Sequence, residues 1–251
     1  MIDIINEKFI LKDVEGIIFD KDGTITDSSF YWSEIIKRRA KKISKDFNLA
    51  KENNYELIRE MGLDVVTNKL LPEGPIAIKS RSEVIFKIIS YLNNQNIKVK
   101  NEDLDNIFKE IHKDFSKEAK KYILPIEPAF RLIKMLKRYK VKLFLITSDT
   151  KINAEETIKV LKIPNHFDCV IGGDSGFGDK RFGKGIKHIS NKFNLSSEKI
   201  ISIGDAPVDH EMAVNGNLKA SILVESGQIK LKKLYKYSKY CVSDLSEIRI
   251  E

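Results

Sequence analysis

GIIFDKDGTITDSS, residues 16–29, joins an apolar run to two aspartates, Asp20 and Asp22, with a lysine between them. The run reads as a buried strand. Side chains i and i+2 of a strand share a side, so both carboxylates are expected to face one spot at the strand's carboxyl end. Two like charges so placed repel, and they need a cation between them or a proton on one. Capping a following helix does not account for the pair: one cap needs one acid, and Gly23 supplies a backbone turn immediately afterwards.

Working outward, residues 29–47 place Phe30, Ile35, Ile36, Ala40, Ile43 and Phe47 at helical spacing. Further helical patterns run over 51–62, 80–93 and 101–122, with LPEGP (71–75) as a loop, and no strand pattern stands between 28 and 124. From Pro125 the texture changes. VKLFLITSD, FDCVIGGD, KIISIGD and KASILVESG read as strands, alternating with the helices EPAFRLIKMLKRYK, INAEETIKVLKI, GKGIKHISNKFNL and VDHEMAVNG. That alternation predicts a parallel sheet with right-handed crossovers, which the opening strand joins. A crossover needs only about 30 residues, so the long segment after GIIFD is an insertion. The expected fold is α/β: a sheet domain of residues 1–27 and 125–251, with an all-helical cap of residues 28–124 over the sheet's carboxyl ends, where ligands bind in such sheets.

Composition narrows the class. The 251 residues are 42% hydrophobic, ordinary for a globular chain. Cys169 and Cys241 offer neither metal-ligand spacing nor a disulfide framework, as suits a reducing compartment. Charges interrupt the first sixteen residues every few positions, leaving no signal-peptide or membrane-span pattern, so a cytoplasmic protein is expected. The 44 Lys and Arg against 36 Asp and Glu give a net charge of +8, scattered over helices such as EIIKRRAKKISKDF and the tail QIKLKKLYKYSKYC. These read as solvated faces, and no nucleic-acid motif accompanies them.

Four strand ends carry polar groups: Asp20 and Asp22; Thr147, Ser148 and Asp149; the loop with Lys180 and Lys184; and GDAPVD with Asp205 and Asp209. Asp149 reads first as the N-cap of the helix after it. His112, His166, His188 and His210 show no ligand spacing. In order and spacing, FDKDGT, LITS, a downstream lysine and GDAPVD resemble the four motifs of the haloacid dehalogenase superfamily, most of whose members are Mg²⁺-dependent phosphatases. The inserted helices resemble the cap of its phosphoglycolate phosphatase and β-phosphoglucomutase branch, and the resemblance implies a Rossmann-like core. It implies Asp20 as nucleophile, Asp22 as general acid and base, and Mg²⁺ held by Asp20, the Asp22 carbonyl and Asp205. It further implies Thr147, the Ser148 N–H and Lys180 on the phosphoryl group, with Lys184 in reserve, and Asp209 orienting the lysine or a metal-bound water. Arg181 stands where relatives usually carry proline.

The expected reaction is hydrolysis of a small phosphorylated metabolite, with no nucleic-acid or membrane partner, by a monomer or homodimer. A phosphoglucomutase-like transferase and a non-catalytic binding protein are the alternatives. In the cap, Lys79 and Arg81 read as solvated helix-start charges before they read as ligands for a substrate anion, and Tyr31 and Trp32 as packing.

Overall fold

The structure, a computed structural model, describes residues 1–72, 74–78 and 81–251. They divide into two compact units, Met1–Asp27 with Ile123–Glu251, and Ser28–Tyr122.

The first unit opens with β1 (Ile2–Asn6) and β2 (Phe9–Val14), an antiparallel hairpin, and then β3 (Gly16–Phe19). The second unit is helical: α1 (Ser28–Asp46), α2 (Lys51–Glu60), α3 (Pro75–Ile78), α4 (Arg81–Asn94) and α5 (Asn101–Ser116). The chain then resumes the first unit with α6 (Glu127–Arg138), β4 (Lys142–Ile146), α7 (Lys151–Val160), β5 (Cys169–Ile171) and α8 (Lys184–Phe193). It closes through β6 (Ile200–Gly204), α9 (Pro207–Asn215), β7 (Ala220–Val224), α10 (Leu231–Leu234), β8 (Cys241–Val242) and β9 (Arg249–Ile250).

Six strands form one parallel sheet in the order β5-β4-β3-β6-β7-β8. The chain fills one side of β3 with β4 and β5, then crosses to the other with β6, β7 and β8, so the strand order reverses beside β3. That reversal opens a crevice at the carboxyl edge. Alternation sorts the core. Ile17, Phe19, Leu143, Leu145, Ile201 and Ile203 join the cluster that includes Leu132 and Ile133 of α6. Ile18, Phe144, Ile146 and Ile200 join the opposite one, with Ile186 and Ile189 of α8 and Met212 of α9. The helical unit has its own core, with Ile36, Leu57, Ile88, Leu104 and Phe108. Among the described residues no helix is long and apolar enough to cross a membrane.

Three readings need correction. The hairpin went unread; β1 also pairs with β9, making a separate three-stranded sheet. The helical pattern of 101–122 stops at Ser116, and a 3₁₀ turn, Ala119–Tyr122, follows. In the basic tail only Leu231–Leu234 is α-helical, because the chain must extend again to lay β8 along β7.

Candidate active site

β3 ends at Phe19, but Asp20 prolongs its ladder by one bond, its N–H donating to the Ile203 carbonyl at 2.9 Å. The chain then turns. The Lys21 carbonyl accepts from the N–H groups of Ile25 and Thr26 and from the Thr26 hydroxyl, and Gly23 takes φ +81°. This loop ends the strand alternation and gives the two aspartates different partners, while the Asp20 charge still acts on Asp22.

Asp20, buried, accepts a charge-assisted hydrogen bond from Lys180 Nζ. The same ammonium lies 2.5 Å from Asp209 Oδ1, and Asp209 Oδ2 accepts from the Ala206 N–H at 3.0 Å. Lys180 arrives on a 3₁₀ turn, Lys180–Phe182, closed by Gly183 at φ +66°, whereas Lys184 is exposed in the first turn of α8. Carboxylate oxygens of Asp20, Asp205 and Asp209 lie within 4.8 Å of one another, close enough to share a cation. Glycines make the room. A Cβ on Gly227 would fall 1.8 Å from Asp205 Oδ2, one on Gly23 2.5 Å from it, and one on Gly204 2.1 Å from Asp209 Cγ.

Charge accounting favours a divalent cation there. Three carboxylates face one ammonium, which leaves two negative charges. At such separations each like-charge pair costs about 3.5 kcal/mol or more even at an effective dielectric near 20. Burial, opposed by Lys180 and assisted by Asp209, pushes the Asp20 carboxyl up to about 6. Burial with Asp20 and Asp209 pushes Asp205 well above the carboxylate range. Burial alone would lower Lys180, yet Asp20 and Asp209 hold it above an ordinary lysine. The donor set is all oxygen, which suits a hard cation such as Mg²⁺.

Thr147, at the end of β4, is buried; its Oγ1 accepts from the Asp149 N–H at 3.1 Å, leaving the hydroxyl proton to donate elsewhere. Ser148 beside it is exposed.

The sequence pattern of the family described as haloacid dehalogenase-like hydrolase matches residues 17–223. The chain belongs to the haloacid dehalogenase-like hydrolases. Among solved structures, a candidate phosphoglycolate phosphatase from Haemophilus somnus is 15% identical, with a TM-score of 0.70 over 94% of this chain and 97% of that one. A candidate β-phosphoglucomutase from Thermotoga maritima is 19% identical, with a TM-score of 0.66 over 93% and 96%. A haloacid dehalogenase-like hydrolase from Streptococcus pneumoniae is 18% identical, with a TM-score of 0.64 over 94% and 97%. At these identities the likeness is one of fold. No curated protein matches the chain.

Sequence reasoning passed over one residue of this hydrolase's site, Lys21. It is buried, and its Nζ bridges Asp22 Oδ2 and Asp149 Oδ2, each at 2.9 Å. Asp22 also accepts from the Thr26 hydroxyl at 3.3 Å. Burial, opposed by Lys21 and reinforced by Asp20, pushes the Asp22 carboxyl up, although 37% of its side chain stays exposed. Asp149 is held below its ordinary range: burial would raise it, but Lys21 and the Asn153 amide outweigh that cost. The N-cap reading of Asp149 is corrected, because Thr150 caps α7 by accepting from the Asn153 N–H. A signal was available in the sequence: position 21 belongs to a buried strand end, and a buried lysine needs carboxylate partners.

Proposed function

We propose that this hydrolase is a Mg²⁺-dependent phosphomonoesterase that cleaves a small phosphorylated metabolite through an aspartyl-phosphate on Asp20. The observation that carries this reading is the pairing of Asp20 with Lys180 at the sheet's reversal point, with Asp205 and Asp209 close enough to share a cation. Asp20 attacks phosphorus, the bond to the leaving oxygen breaks, and Asp22 gives that oxygen its proton. Water then attacks the phosphoryl group as Asp22 takes its proton, and the Asp20–phosphorus bond breaks to release inorganic phosphate. Thr147 and the Ser148 N–H donate to the phosphoryl oxygens. Lys180 offsets charge on Asp20, and Asp209 orients Lys180. Asp20, the Asp22 carbonyl and Asp205 would hold Mg²⁺, which when bound would supply the positive charge that offsets the repulsion between a phosphate dianion and an anionic nucleophile.

The helical unit enters between β3 and α6, eight residues after Asp20, and we read it as a lid that excludes water and selects the substrate. Arg81 pairs with Asp105 at 3.1 Å, Tyr31 packs edge-to-face with Phe115, and Lys79 lies outside the described residues.

The test is a phosphate-release screen over phosphorylated metabolites, run on wild type and Asp20→Asn. Wild type should release phosphate from at least one ester. The variant should lose turnover by at least about a thousandfold with an unchanged cooperative melt. Turnover near wild type in the variant would overturn the mechanism, and phosphoryl transfer to a sugar without phosphate release would replace it with the mutase-like reading.

A further inference from the structure

Arg38 and Arg39 stand side by side on α1 and are treated oppositely. Arg38 pairs with Glu34 at 2.7 Å and Glu118 at 2.5 Å and also reaches the Tyr122 hydroxyl. Arg39 is only 7% exposed, and its Nε is sealed from solvent without a hydrogen-bond partner. Among the described residues it has no hydrogen bond and no ion pair. No carboxylate acts on its charge: burial and the Arg81 guanidinium bring its pKa down to about 10, opposed only by Tyr31.

What Arg39 does have is a ring. Its guanidinium carbon lies 3.9 Å from the centroid of Phe108, and that of Arg81 lies 5.7 Å from the same centroid. The ring's negative face offsets part of the cost of burying the charge, but it satisfies none of the five N–H donors, which lie in the guanidinium plane. A largely buried cation whose Nε has no acceptor, and whose terminal nitrogens alone reach solvent, is a destabilising arrangement for a protein that only has to fold. It becomes favourable when an oxyanion supplies the acceptors. A guanidinium stacked on an aromatic is already fixed for that purpose, its edge presenting parallel N–H groups to a carboxylate or phosphate. Arg81 lies on the same ring with its charge already paired to Asp105, so Arg39 is the guanidinium there left for an anion.

We propose that Arg39 anchors an anion-binding site in the helical unit, with Phe108 as its platform, and that the occupant is the carboxylate or phosphate group of a small molecule. That group is either a second acidic group on the ester being hydrolysed, an assignment that rests on the phosphatase reading above, or a separate free anion.

The first arm of the test measures binding alone. Malonate is titrated calorimetrically into wild type and Arg39→Gln with chelator present, in a chloride buffer free of other oxyanions. Arg39→Gln should lose one site, or at least about tenfold in affinity, and Arg39→Lys, which keeps the charge but not the fork, should fall between. Identical malonate binding in wild type and Arg39→Gln would overturn the proposal.

The second arm measures melting, using Arg39→Met, whose side chain can still pack on Phe108. Without anion it should melt at or above wild type, since an unpaired buried charge has been removed, and malonate should raise the melting point of wild type only. A lower melting point without anion, together with no malonate effect on wild type, would make Arg39 a packing residue and overturn the site.

The third arm separates the two sources by comparing kcat/KM for carboxymethyl phosphate with that for ethyl phosphate. A fall of at least tenfold in that ratio in Arg39→Gln supports a substrate acid as the occupant. An unchanged ratio with malonate binding lost supports a separate anion. If wild type hydrolyses neither these esters nor any in the wider screen, the phosphatase reading fails, while the binding and melting arms still decide the site.

Discussion

The Lys21 ammonium separates the chemistry of Asp22 from that of Asp20, because it pairs with the first and not the second. Its ammonium fixes the Asp22 carboxylate against Asp149 and opposes the push of burial and Asp20 on the Asp22 proton. Lys21→Met would leave two acids facing each other without a cation. The stability cost should be about 2 kcal/mol, less than for a fully buried pair because both acids are partly exposed. The kinetic cost should depend on the leaving group. If Asp22 is the general acid proposed above, an alkyl oxygen needs its proton, whereas a nitrophenolate departs without one. Turnover of an alkyl phosphate should therefore fall at least tenfold more than that of p-nitrophenyl phosphate, and equal losses would mean that Lys21 serves only the fold. Asp20, Asp22, Thr147, Lys180, Asp205 and Asp209 could be picked out as candidates because each lies in the segment that follows a sheet strand, in a spaced motif. Lys21 was not, because its role depends on Asp149, 128 positions away in the chain, which local sequence reads as a cap.

At the level of elements, the parallel sheet was legible because its strands are short apolar runs between amphipathic helices. The β1–β2 hairpin was not. Its turn residues Glu7 and Lys8 keep negative φ, so it lacks the glycine-bearing turn that announces most two-residue hairpins, and a register shift between Ile2 and Ile4 breaks its alternation. Loops between elements shape the three-carboxylate cluster as much as the strands do. The loop after β7 is tied to the loop after β3 by Ser226 Oγ donating to the Gly23 carbonyl at 2.7 Å, and Gly227 leaves the space that Asp205 occupies. A methyl group at 227 must displace that carboxylate. Gly227→Ala should raise half-saturating Mg²⁺, measured by calorimetry, by roughly tenfold, while the melting midpoint in chelator stays close to wild type. An unchanged Mg²⁺ affinity would remove Asp205 from the ligand set.

For the whole molecule, the two units keep separate apolar clusters, and this decides what excision of the helical unit should do. Among the described residues, the clusters on both faces of the six-stranded sheet contain none between Ser28 and Tyr122, and the helical cluster contains only such residues. The chain leaves and re-enters the first unit side by side: the Asp27 N–H donates to the Leu124 carbonyl at 2.9 Å, and Thr26 bridges to Pro125. Replacing residues 28–122 with a short glycine-serine linker therefore spans a gap that backbone hydrogen bonds already close, at little loop-closure cost. The excised protein should fold, and a cooperative melt would verify it. If the helical unit acts as the lid proposed above, the core should keep slow turnover of p-nitrophenyl phosphate, since Asp20, Lys180 and the three-carboxylate cluster all remain. It should lose most of its kcat/KM on the preferred metabolite, whose poorer leaving group and specific recognition both depend on closure. Equal retention of the two activities by a folded core would show that the inserted helices neither exclude water nor choose the substrate, and the anion site at Arg39 would then belong to a separate effector.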